Sequence, residues 1–269
     1  MAISMASLRK VRANQPPRIL IYGPEKMGKT TLASEFPNPV FLQTERGESG
    51  ALVLDALAPE GETHLTTYAS VIEAIGALAS EEHSFQTVVL DSVSALQKLI
   101  WEKVCGDSNT TSIELAGGGY GKGYIEADNL WLEVLDGLNY LRNERGMAIV
   151  LIGHAVITRF DDPETQSYSR YDIDLHKRAE ALLKREVDAI LLVKKDVTIK
   201  TEGPKPGTGR ARADGGDTRW IYCQGKPAYT AGNRYDMPER VMYPKGQGFS
   251  ALAQYFPAGA PAQTTAAAA

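Results

Sequence analysis

Cysteine is scarce. Only Cys105 and Cys223 occur among 269 residues, and neither lies in a C-x-x-C pair. That excludes a disulfide framework and suits a reducing compartment. Histidine is nearly as rare, and His64, His83 and His176 have no metal-ligand spacing. No uninterrupted apolar run approaches membrane-spanning length, and the N-terminus has no continuous apolar stretch of the kind a secretory signal needs, so neither export nor membrane embedding is expected. An excess of positive charge is missing too. The formal net charge is −4 and the pI about 5.7, so any nucleic-acid binding must come from a local basic surface. No internal repeat is visible. What the chain does have, at 43% hydrophobic and 23% charged residues, is enough material for one substantial core.

Its most informative stretch is residues 19–31. The apolar run Ile19 to Tyr22 breaks into G-x-x-x-x-G-K-T from Gly23 to Thr30, and a helical pattern starts at Lys29. Strand, glycine-rich loop and helix in this order form a phosphate-binding loop. Glycine at 23 and 28 permits backbone angles and close approaches that a Cβ would block, and the helix dipole adds positive potential. Gly23, Pro24, Glu25, Lys26, Met27, Gly28, Lys29, Thr30 and Thr31 are therefore expected to hold ATP. Lys29 would reach the β- and γ-phosphates, and the Thr30 hydroxyl would take one position on Mg2+.

Two prolines, Pro16 and Pro17, end a short N-terminal arm (1–17) and favour extended backbone before the first strand. A second strand covers Val40 to Gln43 and leaves Glu45 just past its end. Val71, Ile72, Ile75 and Leu78 recur at helical spacing over Ser70 to Leu78. Thr87 to Ser92 is an apolar strand closed by Asp91, the expected Walker B carboxylate, which would hold Mg2+ beside the P-loop strand. Hydrophobic strands ending in Asp are common, and a turn or helix cap would also use one. A helix over Ser92 to Val104 buries Val93, Leu96, Ile100 and Val104. The polar, glycine-rich stretch 106–123 follows, longer than structureless connections usually are. Next come a helix over Ile125 to Arg142, with Trp131 in its core face, and a buried strand, Ala148 to Gly153, with His154 at its carboxyl end. Residues 156–176 form a second long loop that mixes Arg159, Phe160, Tyr168, Arg170 and Tyr171 with acids. A helix over Lys177 to Lys184 and a strand over Ala189 to Val193 complete this part. From Asp196 the pattern alternates, with turns at 203–208 and a run from Thr218 to Cys223, which predicts antiparallel β structure. The Ala/Pro-rich end, Pro257 to Ala269, cannot build a core and is expected to be disordered.

This order of parts resembles the core of the RecA-like recombinases over residues 18–236, and it looks most similar to the small phage-encoded, ATP-dependent single-strand annealing proteins. The resemblance implies an α/β fold, a mainly parallel twisted sheet flanked by helices, with an antiparallel extension near the C-terminus. It divides the chain into the arm, an ATPase domain at 18–245 and a C-terminal segment at 246–269. Glu45 matches the glutamate that polarises the attacking water; a solvated turn acid is the alternative. His154 stands where these proteins usually carry a γ-phosphate-sensing Gln, and a histidine simply bonded at a strand end would look the same. Residues 231–234, ending in Arg234, resemble the K-x-K or K-x-R segment that reaches a neighbour's phosphates, with Gly232 in place of the first cation. A surface arginine in a turn is the other reading.

The stretches 106–123 and 156–176 occupy the places of the family's DNA-binding loops, although neither matches its sequences closely. Lys122, Arg159, Arg170, Lys177 and Arg178 would then meet phosphates, and Phe160, Tyr168 and Tyr171 would stack on unpaired bases. The implied partners are single-stranded DNA, further copies of the chain in a ring or filament with a shared ATP site, and a single-strand-binding protein. The implied location is the cytoplasm of a bacterial host. Two other classes stay open: a P-loop phosphotransferase, which needs an Arg-bearing lid, and a nucleotide-gated binding module without turnover, which does not need Glu45.

Overall fold

The computed structural model describes residues 15–47, 52–196, 198–202, 210–214, 216 and 218–257. The arm before residue 15, the turns predicted at 203–208 and the Ala/Pro-rich end beyond Pro257 lie outside the described residues. Five segments are apolar almost without interruption: β1 (Arg18–Gly23), β2 (Pro39–Gln43), β3 (Thr87–Asp91), the first half of β4 (Ala148–Phe160) and β6 (Ala189–Lys195). Such runs lack the alternation of a half-exposed strand, because a parallel sheet is covered on both faces. All five join in parallel in the order β6-β1-β4-β3-β2, so β4 lies at the centre of the five with β1 beside it. The antiparallel strands β9 (Arg219–Tyr222) and β11 (Arg240–Tyr243) extend the β6 edge, and the short β10 (Gly232–Asn233) pairs with the start of β6. This is the mainly parallel sheet flanked by helices, with an antiparallel extension, that the resemblance implies. A separate ribbon, β7 (Thr198–Glu202) with β8 (Arg210–Asp214), joins β6 to β9.

One face of the sheet packs on α2 (Tyr68–Ser80), α3 (Val93–Asp107), α4 (Lys122–Glu144) and α5 (Lys177–Glu186). Leu20 and Tyr22 of β1 point to this side, where Trp131, Leu96, Ile100 and Leu183 are buried. Ile19 and Ile21 point to the other side, against α1 (Lys29–Ser34) and α6 (Gly248–Ala253), where Leu32, Phe36, Phe249 and Leu252 close the core. Truncating a side chain as large as the buried Trp131 costs about 3–5 kcal/mol in such cores. Local signals start the helices: Thr67 and Ser70 form a reciprocal capping box at α2, and the Ser92 hydroxyl accepts from the Ala95 amide at α3. Glu35 accepts from the Gly246 and Phe249 amides, tying the start of α6 to the end of α1.

Both predicted loops turn out to be structured. In 106–123, α3 continues to Asp107, a 3-10 turn covers Ala116–Gly118, and α4 begins at Lys122, three residues before the helix start read from periodicity. Ile113 and Ala116 are buried and anchor it. The second, 156–176, is largely a β-hairpin: β4 continues to Phe160 and pairs with β5 (Tyr168–Ile173) from Ala155↔Ile173 to Phe160↔Tyr168. From Val156 to Phe160 exposure alternates, Ile157 and Arg159 being exposed and their neighbours partly covered, as in a strand that leaves the covered sheet and exposes one side.

Candidate functional site

The P-loop rises from the carboxyl end of β1. Gly28 has φ +86° and Lys26 φ 60°, the left-handed backbone that turns successive amides inward. Gly23 is glycine for another reason: a Cβ there would lie 2.2 Å from the carbonyl oxygen of Val193 on β6. The Lys29 ammonium is buried inside the loop, donating to the carbonyls of Gly23 (2.9 Å) and Pro24 (3.0 Å). Burial lowers its pKa, and the carboxylates of Asp91, Glu45 and Glu25 act in the opposite direction.

The structure brings Thr30 and Asp91 together, the Thr30 hydroxyl donating to Asp91 Oδ2 at 2.8 Å, but the Asp91 strand is not the neighbour of the P-loop strand that the sequence reading expected, because β4 is inserted between β3 and β1. Asp91 is buried at the end of β3, and its pKa is raised, chiefly by burial. A buried carboxylate beside a hydroxyl, both oxygen donors at the P-loop, fits Mg2+, which binds such sites through one or two protein groups plus water and phosphate. Among the described residues no cluster of three or more His, Cys, Asp or Glu side chains offers an all-protein metal site.

Glu45 and His154 also meet, His154 Nε2 lying 2.9 Å from Glu45 Oε1. Their strands are not neighbours, since β3 lies between β2 and β4, so the pair bridges over the Asp91 end of β3. The backbone around it is held. The Thr44 amide donates to the Asp91 carbonyl, the Thr44 hydroxyl to the Ser92 carbonyl, and the His154 amide to the Ser94 hydroxyl. The His154 hydrogen bond holds the Glu45 carboxyl below its usual value, and Glu45 in return raises the imidazole.

The residues predicted to contact DNA are split by the hairpin. Its register puts Phe160, Tyr168 and Arg170 on one face and Arg159 and Tyr171 on the other. Arg170 lies 4.2 Å over the Phe160 ring and 2.7 Å from the buried Asp172; Arg159 pairs with Asp161, and Arg178 with Asp128. Tyr171 is tied down by the Ala228 carbonyl and faces Lys194 at 5.6 Å. Lys122 and Lys177 are exposed. The roots of the two segments touch where Tyr124 stacks on His176, with centroids 4.4 Å apart.

Arg234 is not brought to the P-loop of its own chain. Its guanidinium pairs with Asp188 at 3.1 Å, beside the amino end of β6. Sequence reasoning missed four other residues. Tyr120, in left-handed backbone within the glycine run 117–121, is fully exposed. A lone aromatic among glycines was the signal for it. Tyr22 donates to the Thr230 carbonyl and so ties the P-loop strand to the segment beside the hairpin. Tyr243 donates to the Gly28 carbonyl at 3.1 Å, and the Arg219 guanidinium lies against Gly28. Neither had a local signal, because strand pairing at the far end of the sheet brings them there.

No helix among the described residues is long and apolar enough to cross a membrane. No curated protein matches the chain. Among solved structures, the crystal structure of the RadB recombinase is similar at 16% identity and a TM-score of 0.44, covering 87% of this chain and 90% of that one. The family model AAA_24, described as an AAA domain, matches residues 15–235. That span holds the P-loop, Asp91, Glu45, His154 and Arg234, and the chain belongs to this family of nucleotide-binding P-loop domains.

Proposed function

We propose that this protein hydrolyses ATP and couples the cycle to binding single-stranded DNA, promoting annealing in recombination, as a head-to-tail oligomer encoded by a phage and working in the host cytoplasm. The observation that carries the reading is the convergence of Lys29, Thr30, Asp91, Glu45 and His154 at the edge of the sheet where the parallel pairing of four adjacent strands ends. The loop amides and Lys29 neutralise the phosphates, and Thr30 with Asp91 would hold Mg2+, which supplies further charge neutralisation. Glu45 accepts the proton of the water that attacks the γ-phosphate, leaving ADP and phosphate. His154 donates to the γ-phosphate oxygen. Because β4 runs unbroken from Ile152 through His154 to Phe160, a shift at the imidazole is carried into the hairpin. Lys122 and Lys177 contact the DNA backbone, Arg159, Arg170 and Arg178 on giving up their carboxylate partners, while Phe160, Tyr168 and Tyr171 supply aromatic surface. Arg234 completes the site of the next subunit.

A second reading is a nucleotide-gated binding module without turnover, and the engagement of Glu45 by His154 favours it. ATPase rates with no DNA, single-stranded DNA and duplex DNA decide between them. The proposal expects turnover that single strands stimulate most. ATP binding without turnover in all three arms would leave the gated module, and turnover indifferent to DNA would remove the DNA role.

A further inference from the structure

We infer that Asp188 is a positioning residue that presents Arg234 to the nucleotide site of the next subunit. The inference rests on the shared site proposed above.

Asp188 immediately precedes β6, at the end of the sheet opposite the P-loop. Its amide donates to the Arg18 carbonyl at the start of β1, and its Oδ2 accepts from the Arg18 amide at 3.1 Å. From Arg18 to Gly23 the strand spans roughly 17 Å, beyond the reach of an arginine side chain, so Arg234 cannot serve its own P-loop. A head-to-tail contact would set this end of one subunit toward the nucleotide end of the next.

The Asp188 carboxylate, 8% exposed, collects three guanidinium groups and a hydroxyl: Arg18 Nη2 at 3.3 Å, Arg142 Nη2 at 3.0 Å, Arg234 Nη1 at 3.1 Å and the Tyr235 hydroxyl at 3.1 Å. The side chains of Arg18 and Arg142 are only 17% and 13% exposed and already balance the buried charge. Arg234 is the surplus cation at the rim, 61% exposed. Its backbone is fixed: its amide donates to the Asp188 carbonyl at 2.9 Å, and Asn233 Oδ1 accepts from the Tyr235 and Met237 amides. Only its side chain can move. The guanidinium is held at the rim by the outer contact to a carboxylate that does not need it and by a longer one, 3.4 Å, to the Arg185 carbonyl, and a solvent-exposed pair is weak enough to be exchanged for a phosphate. A guanidinium held in this way loses less freedom on reaching its target than an unanchored one.

Subunit mixing tests the inference. A Lys29→Ala donor cannot use its own site but keeps Arg234; an Arg234→Ala acceptor keeps its own site but has no arginine to give. Equimolar mixing should recover ATPase activity that neither variant has alone. With Asp188→Asn added to the donor, the recovered kcat should fall by roughly ten- to a hundredfold, with KM for ATP and the size of the mixed assemblies unchanged. Asp188→Glu keeps the charge that Arg18 and Arg142 need while displacing the carboxylate by one methylene, so it decides the matter if Asp188→Asn does not fold. Its donor should also lower the recovered kcat, and full recovery with it overturns the positioning role. Absence of recovery even with Asp188 intact would instead remove the shared site, and this inference with it.

Discussion

Glu45 follows the end of β2 and His154 lies midway along β4, two strands that do not touch, yet their side chains meet at 2.9 Å across the end of β3. Each favours the charged form of the other, so His154 titrates above its ordinary 6.5 and Glu45 below its ordinary 4.5. The ion pair thus contributes stability that is lost as pH falls through the lowered Glu45 value and lost again as pH rises through the raised His154 value. For catalysis the sign is different. A protonated His154 competes with water for the Glu45 carboxylate, so turnover should rise as the imidazole loses its proton above pH 6.5. His154→Gln should flatten that rise. Identical pH–rate profiles for the two proteins would separate the pair from catalysis.

Glu45→Gln removes the proton acceptor and leaves the phosphate cradle intact. Hydrolysis should fall by about a hundredfold or more, with ATP affinity by calorimetry within a few-fold of wild type. Full activity would return Glu45 to a turn acid.

Gly23 is held to glycine by packing, since a Cβ would meet the Val193 carbonyl oxygen at 2.2 Å. Gly23→Ala should therefore destabilise the folded protein by about 1–3 kcal/mol or more, because neither the new Cβ nor the Val193 carbonyl can move unless its strand shifts. A melting temperature equal to wild type would contradict the packing.

Gly232 occupies the first cation position of the K-x-R pattern, and a Cβ built there meets nothing within 4 Å. Gly232→Lys adds a second cation to the face that carries Arg234, and DNA-stimulated ATPase should rise by up to about tenfold, a barrier change near 1.4 kcal/mol. An unchanged or slower rate in fully assembled protein would count against a shared site.

Arg159 and Arg170 differ in kind. Arg159 is 76% exposed beside Asp161, whereas Arg170 braces the buried Asp172. Arg159→Ala should lower single-strand affinity and reduce the log–log salt slope by about 0.7, with unchanged melting. Arg170→Ala should lower the melting temperature, because the buried Asp172 loses the guanidinium that pairs with it at 2.7 Å. Equal salt slopes for wild type and Arg159→Ala would place the DNA elsewhere.

The sequence by itself determined the parts whose physics is local. Apolar runs and 3.6-residue spacing identified β1, β2, β3, the first half of β4, β6 and the main helices, and G-x-x-x-x-G-K-T marked its loop together with the strand and helix on either side. It was less decisive where one residue type suits two settings: the hairpin at 156–176 read as a loop because its strands carry charges and aromatics on both faces. Tertiary structure alone decided which distant groups meet. Glu45 and His154 are 109 residues apart, and Arg234 and Asp188 are 46 apart. No periodicity encodes such pairs. They follow from strand order, since parallel strands joined by crossovers bring their carboxyl ends to one edge of the sheet and their amino ends to the other. That is why the catalytic candidates gather at one end and Arg234, reached through the antiparallel β10, is left at the opposite one.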